Sequence, residues 1–142
     1  MTGLIVDASV ALKWLVPESD SATAETIVGK ASPLHAPHFL MIETVNACWK
    51  NWRKQLIDSS IVLEASSKLT GLIDVWHRDE TLMEDAARLA IELQHPIFDC
   101  LYLALAKQIN LPVVTADQRL LAVGSGLAVS LEAWRREEAG KG

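Results

Sequence analysis

Cysteine is scarce in this chain. Cys48 and Cys100 are the two present, and each lies inside an apolar pattern with helical spacing. Two such positions make a poor disulfide framework, which argues against a small disulfide-stapled scaffold. We therefore expect both thiols to be reduced and buried in a cytosolic protein.

Long apolar runs and excess positive charge are also missing. No segment approaches the roughly 20 apolar residues of a membrane-spanning helix, and the N-terminus lacks the basic stretch and apolar core of a signal peptide. The formal net charge of −5 argues against holding nucleic acid by bulk electrostatics alone. It does not exclude a protein that meets phosphates through a metal ion.

The composition that remains is that of one globular domain. Half of the 142 residues are hydrophobic and 22% are charged, and no repeat, low-complexity tract or linker divides residues 1–142. Predicted strands alternate with predicted helices, which indicates an α/β fold with a parallel sheet. The charged segment 135–142 is predicted to be a solvated tail.

Apolar patterning and turn residues place the elements. The predicted strands are Leu4–Val6 and segments within 33–37, 72–75, 111–115 and 127–129. The predicted helices cover 10–16, 21–29, 38–53, 58–71, 80–94, 99–109 and 118–122. The helix over 99–109 is apolar nearly all round and should be central and buried.

Three of four candidate acidic residues occupy positions where α/β proteins place their ligands, and the fourth, Glu43, would reach the same edge from its helix. Asp7 directly follows the first strand, Asp117 follows the strand at 111–115, and Asp99 opens a helix. Strand ends and helix starts share one edge of a parallel sheet, so these side chains can meet. Glu43 lies in the apolar first half of its helix, where burial is costly unless the group is paired or binds metal.

Crowded carboxylates raise one another's pKa unless a cation compensates. Mg²⁺ fits, with Mn²⁺ as a substitute, because hard cations prefer oxygen ligands. Such a metal activates water and stabilises charge on phosphate, so the predicted chemistry is phosphodiester hydrolysis. Asp99 and Asp117 could instead be helix caps or dipole partners, and Glu43 could be a solvated surface residue.

Several motifs resemble those of the PIN domain, and more narrowly the VapC toxins of bacterial toxin–antitoxin pairs. They are Ile5-Val6-Asp7-Ala8-Ser9, the helix of Glu43, the run from Phe98 to Ala106 and Val114-Thr115-Ala116-Asp117-Gln118-Arg119-Leu120. The resemblance implies a three-layer, Rossmann-like fold: a central parallel sheet of four to five strands flanked by helices. It also implies a metal-dependent endoribonuclease, a small cognate antitoxin and a homodimer.

Matched position by position, the resemblance assigns catalytic roles to Asp7, Glu43, Asp99 and Asp117, with Asp7, Asp99 and Asp117 holding the metal. Ser9 and Thr115 match supporting polar positions. Ser9 could instead simply cap its helix, and Thr115 could simply favour a strand.

Other polar and aromatic residues have weaker interpretations. The four histidines show no zinc-like spacing and receive no catalytic or ligand role. The cations Lys50, Arg53, Lys54 and Arg119 either contact RNA phosphates or form a solvated face. Tryptophans 14, 49 and 52 are candidates for a dimer or antitoxin groove.

Two rival functions remain. A PIN-fold module could capture a protein partner without catalysis, although retention of all four acids argues against it. A phosphotransfer enzyme with Asp7 as nucleophile is disfavoured, because Ala8 and Ser9 occupy the positions where such families place a second carboxylate.

Overall fold

A computed structural model describes residues 3–141 and contains one parallel sheet of five strands. Their spatial order is β3-β2-β1-β4-β5, and every neighbouring pair is parallel. The strands are β1 Leu4–Val6, β2 Leu34–Pro37, β3 Val75–His77, β4 Val113–Thr115 and β5 Ala128–Ser130. The predicted α/β fold with a parallel sheet is confirmed.

Eight α-helices flank the sheet within residues 3–141, and a short 3₁₀ helix covers Asp79–Thr81. They are α1 Ala8–Leu15, α2 Ser21–Lys30, α3 Phe39–Arg53, α4 Ser59–Leu72, α5 Met83–Leu93, α6 Ile97–Ile109, α7 Gln118–Val123 and α8 Leu131–Gly140. No single one of these helices is long and apolar enough to cross a membrane. Taken together, α5 and α6 meet the length and composition test, but they bend by 115°.

The core is built around the central strands and α6. All residues of β1 and β4 are buried, as expected for parallel strands covered on both faces. Seven consecutive residues of α6, from Cys100 to Ala106, are also buried, so the predicted central helix is confirmed. Cys48 and Cys100 are both free and buried.

The order of the strands reverses at β1. The chain moves from β1 through β2 to β3 on one side, then crosses to place β4 and β5 on the other. Open α/β sheets bind ligands at such a switch point, outside the carboxyl ends of the two strands that flank it. Here those strands are β1 and β4, which are followed by Asp7 and Asp117.

Several element boundaries differ from the sequence prediction, and the first helix begins at Ala8 rather than Val10. The third strand is β3 rather than 72–75, because α4 continues to Leu72 and the N–H of Ile73 still donates to the Leu69 carbonyl. The helix predicted over 80–94 begins at Met83, after the 3₁₀ turn. The helix predicted from Asp99 begins at Ile97, where Pro96 takes the N-cap position.

The C-terminal segment forms a helix that the sequence analysis missed. Ser130 caps α8 by accepting from the Ala133 N–H, and Leu131 and Trp134 are buried. The side chains from Arg135 to Glu137 are exposed. This segment therefore packs onto the sheet through its first turn, while its charged remainder faces solvent.

Candidate functional site

Four elements deliver the predicted acidic residues to one edge of the sheet. Asp7 leaves β1 and Asp117 leaves β4, and each caps the helix that follows. Asp99 lies in the first turn of α6, and Glu43 projects from α3. A cleft of about 670 Å³ is lined by Glu43, Asp99 and Asp117.

Asp7 lies beside this cleft rather than on its open wall. Its neighbours Ala8 and Ser9 line the cleft, whereas Asp7 itself is 4% exposed. The pKa of Asp7 is raised to about 7, chiefly because the group is buried; the charge of Glu43 adds to this rise, and the hydrogen bonds that Asp7 accepts oppose it. A carboxylate this costly to ionise is a group for which a cation would compensate.

Ser9 and Thr115 hold the Asp7 carboxylate from two sides. The Ser9 hydroxyl donates to Oδ1 over 2.7 Å, and the Thr115 hydroxyl donates to Oδ2. The Val10 N–H also donates to Oδ1, which makes Asp7 the N-cap of α1. Ser9 therefore does not cap this helix: its oxygen accepts from the Ala116 N–H and so ties β4 to the start of α1.

Tyr102, the one tyrosine of the chain, holds Glu43. Its hydroxyl donates to Glu43 Oε1 over 2.6 Å, and the ring is 1% exposed inside α6. Burial raises the pKa of Glu43, the hydrogen bond from Tyr102 opposes that shift, and Asp99 and Asp117 reinforce it. Burial and the charge of Glu43 keep the pKa of Tyr102 well above its usual value, so this phenol is a donor.

The remaining two acids are held in different ways. Asp117 Oδ1 accepts from the Arg119 N–H over 2.9 Å, and the Asp117 N–H donates to Thr115 Oγ1. Asp99 Oδ2 lies 2.6 Å from His95 Nε2, and His95 also lines the cleft. The sequence interpretation gave the histidines no role, so this contact is a correction. The sequence feature that could have indicated it is the spacing of four residues between His95 and Asp99 at the start of α6.

The four carboxylates interact with one another, and among residues 3–141 no lysine or arginine forms a salt bridge with any of them. Glu43 raises the pKa of Asp7, and Asp99 and Asp117 raise that of Glu43. Within the part of the chain that the structure describes, the basic side chain in contact with one of these four acids is His95, whose Nε2 lies beside Asp99. Asp7, Glu43, Asp99 and Asp117 therefore form one concentrated negative site.

This donor set fits an open cation site better than a closed cage. Among residues 3–141, no group of three or more histidine, cysteine or acidic side chains surrounds one point closely enough to hold a metal ion outright. Mg²⁺ does not need such a cage, because it keeps several waters and uses one or two carboxylates together with substrate phosphates. The residues present fit that kind of site.

Cationic and aromatic side chains line the same cleft. Lys50 and Arg119 are among its lining residues. Phe98 is 55% exposed there, and its ring stacks on Phe39 with centroids 5.4 Å apart. The other two predicted phosphate contacts are not among the lining residues, and the Arg53 guanidinium lies over the Trp49 ring instead.

Helix α3 does not bury the stripe of residues at helical spacing, among them Ile42 and Trp49, that its sequence suggests as the core face. Its buried residues are Leu40, Thr44 and Cys48, whereas Ile42 is 71% exposed and Trp49 40% exposed. Trp52 is 44% exposed, and Trp14 packs between α1 and α2, where its indole N–H donates to the Ala24 carbonyl. Glu43, on the flank of the buried face, is thereby turned toward α6.

Comparison with known proteins finds a family and a relative that are similar in sequence. A family model described as PIN domain matches residues 4–125. The chain is 33% identical over 122 residues to a protein of Pyrobaculum aerophilum named ribonuclease VapC3, covering 82% of this chain and 91% of that protein.

Solved structures repeat the fold. The crystal structure of PAE2754 from Pyrobaculum aerophilum has a TM-score of 0.78 at 23% identity and covers 98% of this chain and 96% of its own. Mycobacterium tuberculosis VapC20, described as a sarcin–ricin loop cleaving toxin, has a TM-score of 0.68 at 17% identity; the match covers 88% of this chain and 96% of VapC20. A toxin–antitoxin complex from Klebsiella pneumoniae has a TM-score of 0.66 at 13% identity; the match covers 91% of this chain and 98% of the matched chain.

Proposed function

This chain belongs to the PIN-domain family, and from that premise we propose that it is a Mg²⁺-dependent endoribonuclease, the toxin of a VapBC-like toxin–antitoxin pair. The observation that carries the proposal is the cleft itself. Asp7, Glu43, Asp99 and Asp117 come from four separate elements and share one site without a lysine or arginine partner among the described residues. The relative that is 33% identical is named a ribonuclease, which supports RNA as the substrate.

In this proposal the four acidic residues have different roles in metal binding and catalysis. Asp7 and Asp99 bind the divalent cation directly, Asp117 holds it through one of the waters that the cation keeps, and Mn²⁺ can substitute for Mg²⁺. When bound, such a cation activates water and stabilises charge on the phosphate. Glu43, held by the Tyr102 hydroxyl, orients the attacking water or takes part in binding a second cation.

The walls of the cleft suit RNA that is single-stranded or looped. Lys50 and Arg119 are placed to contact backbone phosphates beside the acidic residues. The exposed ring of Phe98 is available to stack on an unpaired base. Because a base stacked between its neighbours in a duplex cannot offer its face to a side chain, we propose unstacked regions as the substrate.

The proposed partners are a cognate antitoxin and a second copy of this chain. A structural neighbour is a toxin–antitoxin complex. The exposed apolar side chains of Ile42, Trp49 and Trp52 give α3 a surface suited to a protein contact. Two buried free cysteines are consistent with a cytoplasmic location.

The test is incubation of the full chain, purified without antitoxin, with structured RNA and Mg²⁺. We expect cleavage that EDTA abolishes and that Asp7→Asn reduces by about 10²–10⁴-fold, since metal stabilisation of a transition state supplies several kcal/mol. Lys68→Ala is the matched control, because Lys68 is exposed on α4 and pairs with Glu64, away from the cleft.

Equal cleavage by the wild type and Asp7→Asn would remove the proposed catalysis. Absence of cleavage by both proteins, together with absence of Mn²⁺ binding, would favour the alternative of a PIN-fold module that captures a protein partner without catalysis.

A further inference from the structure

His95 is the histidine at the acidic cleft. It lies between α5 and α6, its side chain is 11% exposed, and Nε2 is 2.6 Å from Asp99 Oδ2. An ionised carboxylate can only accept hydrogen bonds, so when Asp99 is ionised the hydrogen between them belongs to Nε2. His95 therefore acts on Asp99 as a nearly buried donor.

The backbone around His95 is fixed by its own contacts. Gln94 ends α5 in the left-handed conformation, with φ of 51°. The His95 N–H then donates to the Ala90 carbonyl over 3.1 Å. The Cys100 thiol donates to the His95 carbonyl over 3.8 Å. With its backbone held from both helices, His95 can present its ring to Asp99 in one orientation.

The same arrangement recurs at each of the other three acids. The carboxylate of Asp7 accepts from the Thr115 and Ser9 hydroxyls, Glu43 from the Tyr102 hydroxyl, and Asp117 from the Arg119 N–H. Each acid thus accepts at least one hydrogen bond from the protein, and His95 supplies the one to Asp99. Among residues 3–141, the hydrogen bond to the Asp99 side chain comes from His95.

We propose that His95 is a positioning residue that holds Asp99 through Oδ2 and leaves Oδ1 to a divalent cation. This inference rests on the proposed function, because it assumes that Asp99 binds the metal. Hydrogen-bonding partners of metal ligands fix ligand orientation, and their loss typically weakens metal affinity about 10–100-fold. His95 is distinct from the four acids because it does not touch the cation in this scheme.

The test measures Mn²⁺ affinity of the full chain by isothermal titration calorimetry. We expect His95→Ala and His95→Asn to weaken binding by about 10–100-fold. His95→Gln should stay within about fivefold of the wild type, because the Gln amide N–H can occupy the position of Nε2. His38→Ala is the matched control, since His38 is exposed at the start of α3 and its ring contacts Trp76.

A second arm tests whether His95 works through Asp99. In an Asp99→Asn background, adding His95→Ala should change Mn²⁺ affinity less than about twofold, because the group it orients is gone. Unfolding midpoints of all variants in EDTA separate this role from simple packing. A merely structural His95 would lower the midpoint and leave the metal affinity of the folded protein unchanged.

The outcomes distinguish the positioning role of His95 from the existence of the proposed metal site. If the wild type binds Mn²⁺ and all His95 variants bind it equally well, the inference is wrong and the proposed metal site stands. If the wild type shows no Mn²⁺ binding that depends on Asp7, both fall. If His95→Ala does not fold, the comparison of His95→Gln with His95→Asn decides, and equal affinities in that pair overturn the inference.

Discussion

Asp7→Asn is expected to stabilise the metal-free protein at pH 8 by about 2–4 kcal/mol, although it removes a residue of the proposed catalytic site. Burial raises the pKa of Asp7 from 3.8 to about 7, and each unit of such a shift corresponds to about 1.4 kcal/mol. Asparagine has the same shape without the charge. The Ser9 hydroxyl and the Val10 N–H can still donate to its oxygen, while Thr115 Oγ1 can accept from its amide.

Proton linkage gives the direction in which the stability contribution of Asp7 changes with pH. Because the folded-state pKa of Asp7 lies above 3.8, the folded protein binds more protons than the unfolded chain between about pH 4 and pH 7. The contribution of Asp7 to stability is therefore fully present below pH 4 and is lost as the pH rises through 7. The gain from Asp7→Asn should vanish at the acidic end of this window.

Urea unfolding in EDTA at several pH values measures this difference. Asp20→Asn is the control of opposite sign, since the hydrogen bond with Lys13 lowers the pKa of Asp20. Its replacement should not stabilise the protein at neutral pH. A loss of stability in Asp7→Asn at every pH would contradict the account, because it would mean that ionised Asp7 costs nothing in the metal-free fold.

Mn²⁺ affinity of the wild type is expected to fall about 30-fold between pH 8 and pH 5.5, because cation binding requires ionised Asp7 with a pKa of about 7. Glu43 contributes in the same direction, since burial also raises its pKa. At a concentration of about 100 times the dissociation constant, the cation should stabilise the fold by about 2.7 kcal/mol.

Titration calorimetry at pH 5.5, 7 and 8 follows this dependence, with thermal unfolding as a second readout. Asp7→Asn should bind weakly and with a much flatter pH profile. Affinity in the wild type that does not change between pH 5.5 and pH 8 would separate cation binding from Asp7 and would refute this role.

The sequence predicted best the buried apolar elements and the acidic residues that directly follow buried strands. The strand Leu4–Val6 and the central helix α6 followed directly from apolar runs too uniform for a surface element. Asp7 and Asp117 could be placed together because parallel strands share one carboxyl edge. The supporting roles of Ser9 and Thr115 came from family resemblance rather than spacing, and the structure then supplied their contacts with Asp7.

The contacts made by His95 and Tyr102 could not be predicted in the same way. Tyr102 and Glu43 are 59 positions apart in the sequence. The residue pattern around either one does not indicate that the two side chains form a hydrogen bond. His95 is local to Asp99, but its role depends on the left-handed turn at Gln94, which apolar periodicity does not report.

Two elements show the limits of apolar patterns. An exposed apolar stripe and a core stripe have the same period, so the sequence could not tell that Ile42 and Trp49 face outward while Thr44 faces the core. Helix α8 was missed because it buries only Leu131 and Trp134, and a charged segment with two apolar anchors resembles a solvated tail.

The most direct test is an anomalous difference map from a crystal soaked with Mn²⁺ above the dissociation constant found by titration. The account predicts a peak within ligating distance of the Asp7 and Asp99 carboxylates, in the cleft beside Glu43 and Asp117. A saturated crystal with its strongest peaks only at other surface carboxylates, and none in this cleft, would contradict it.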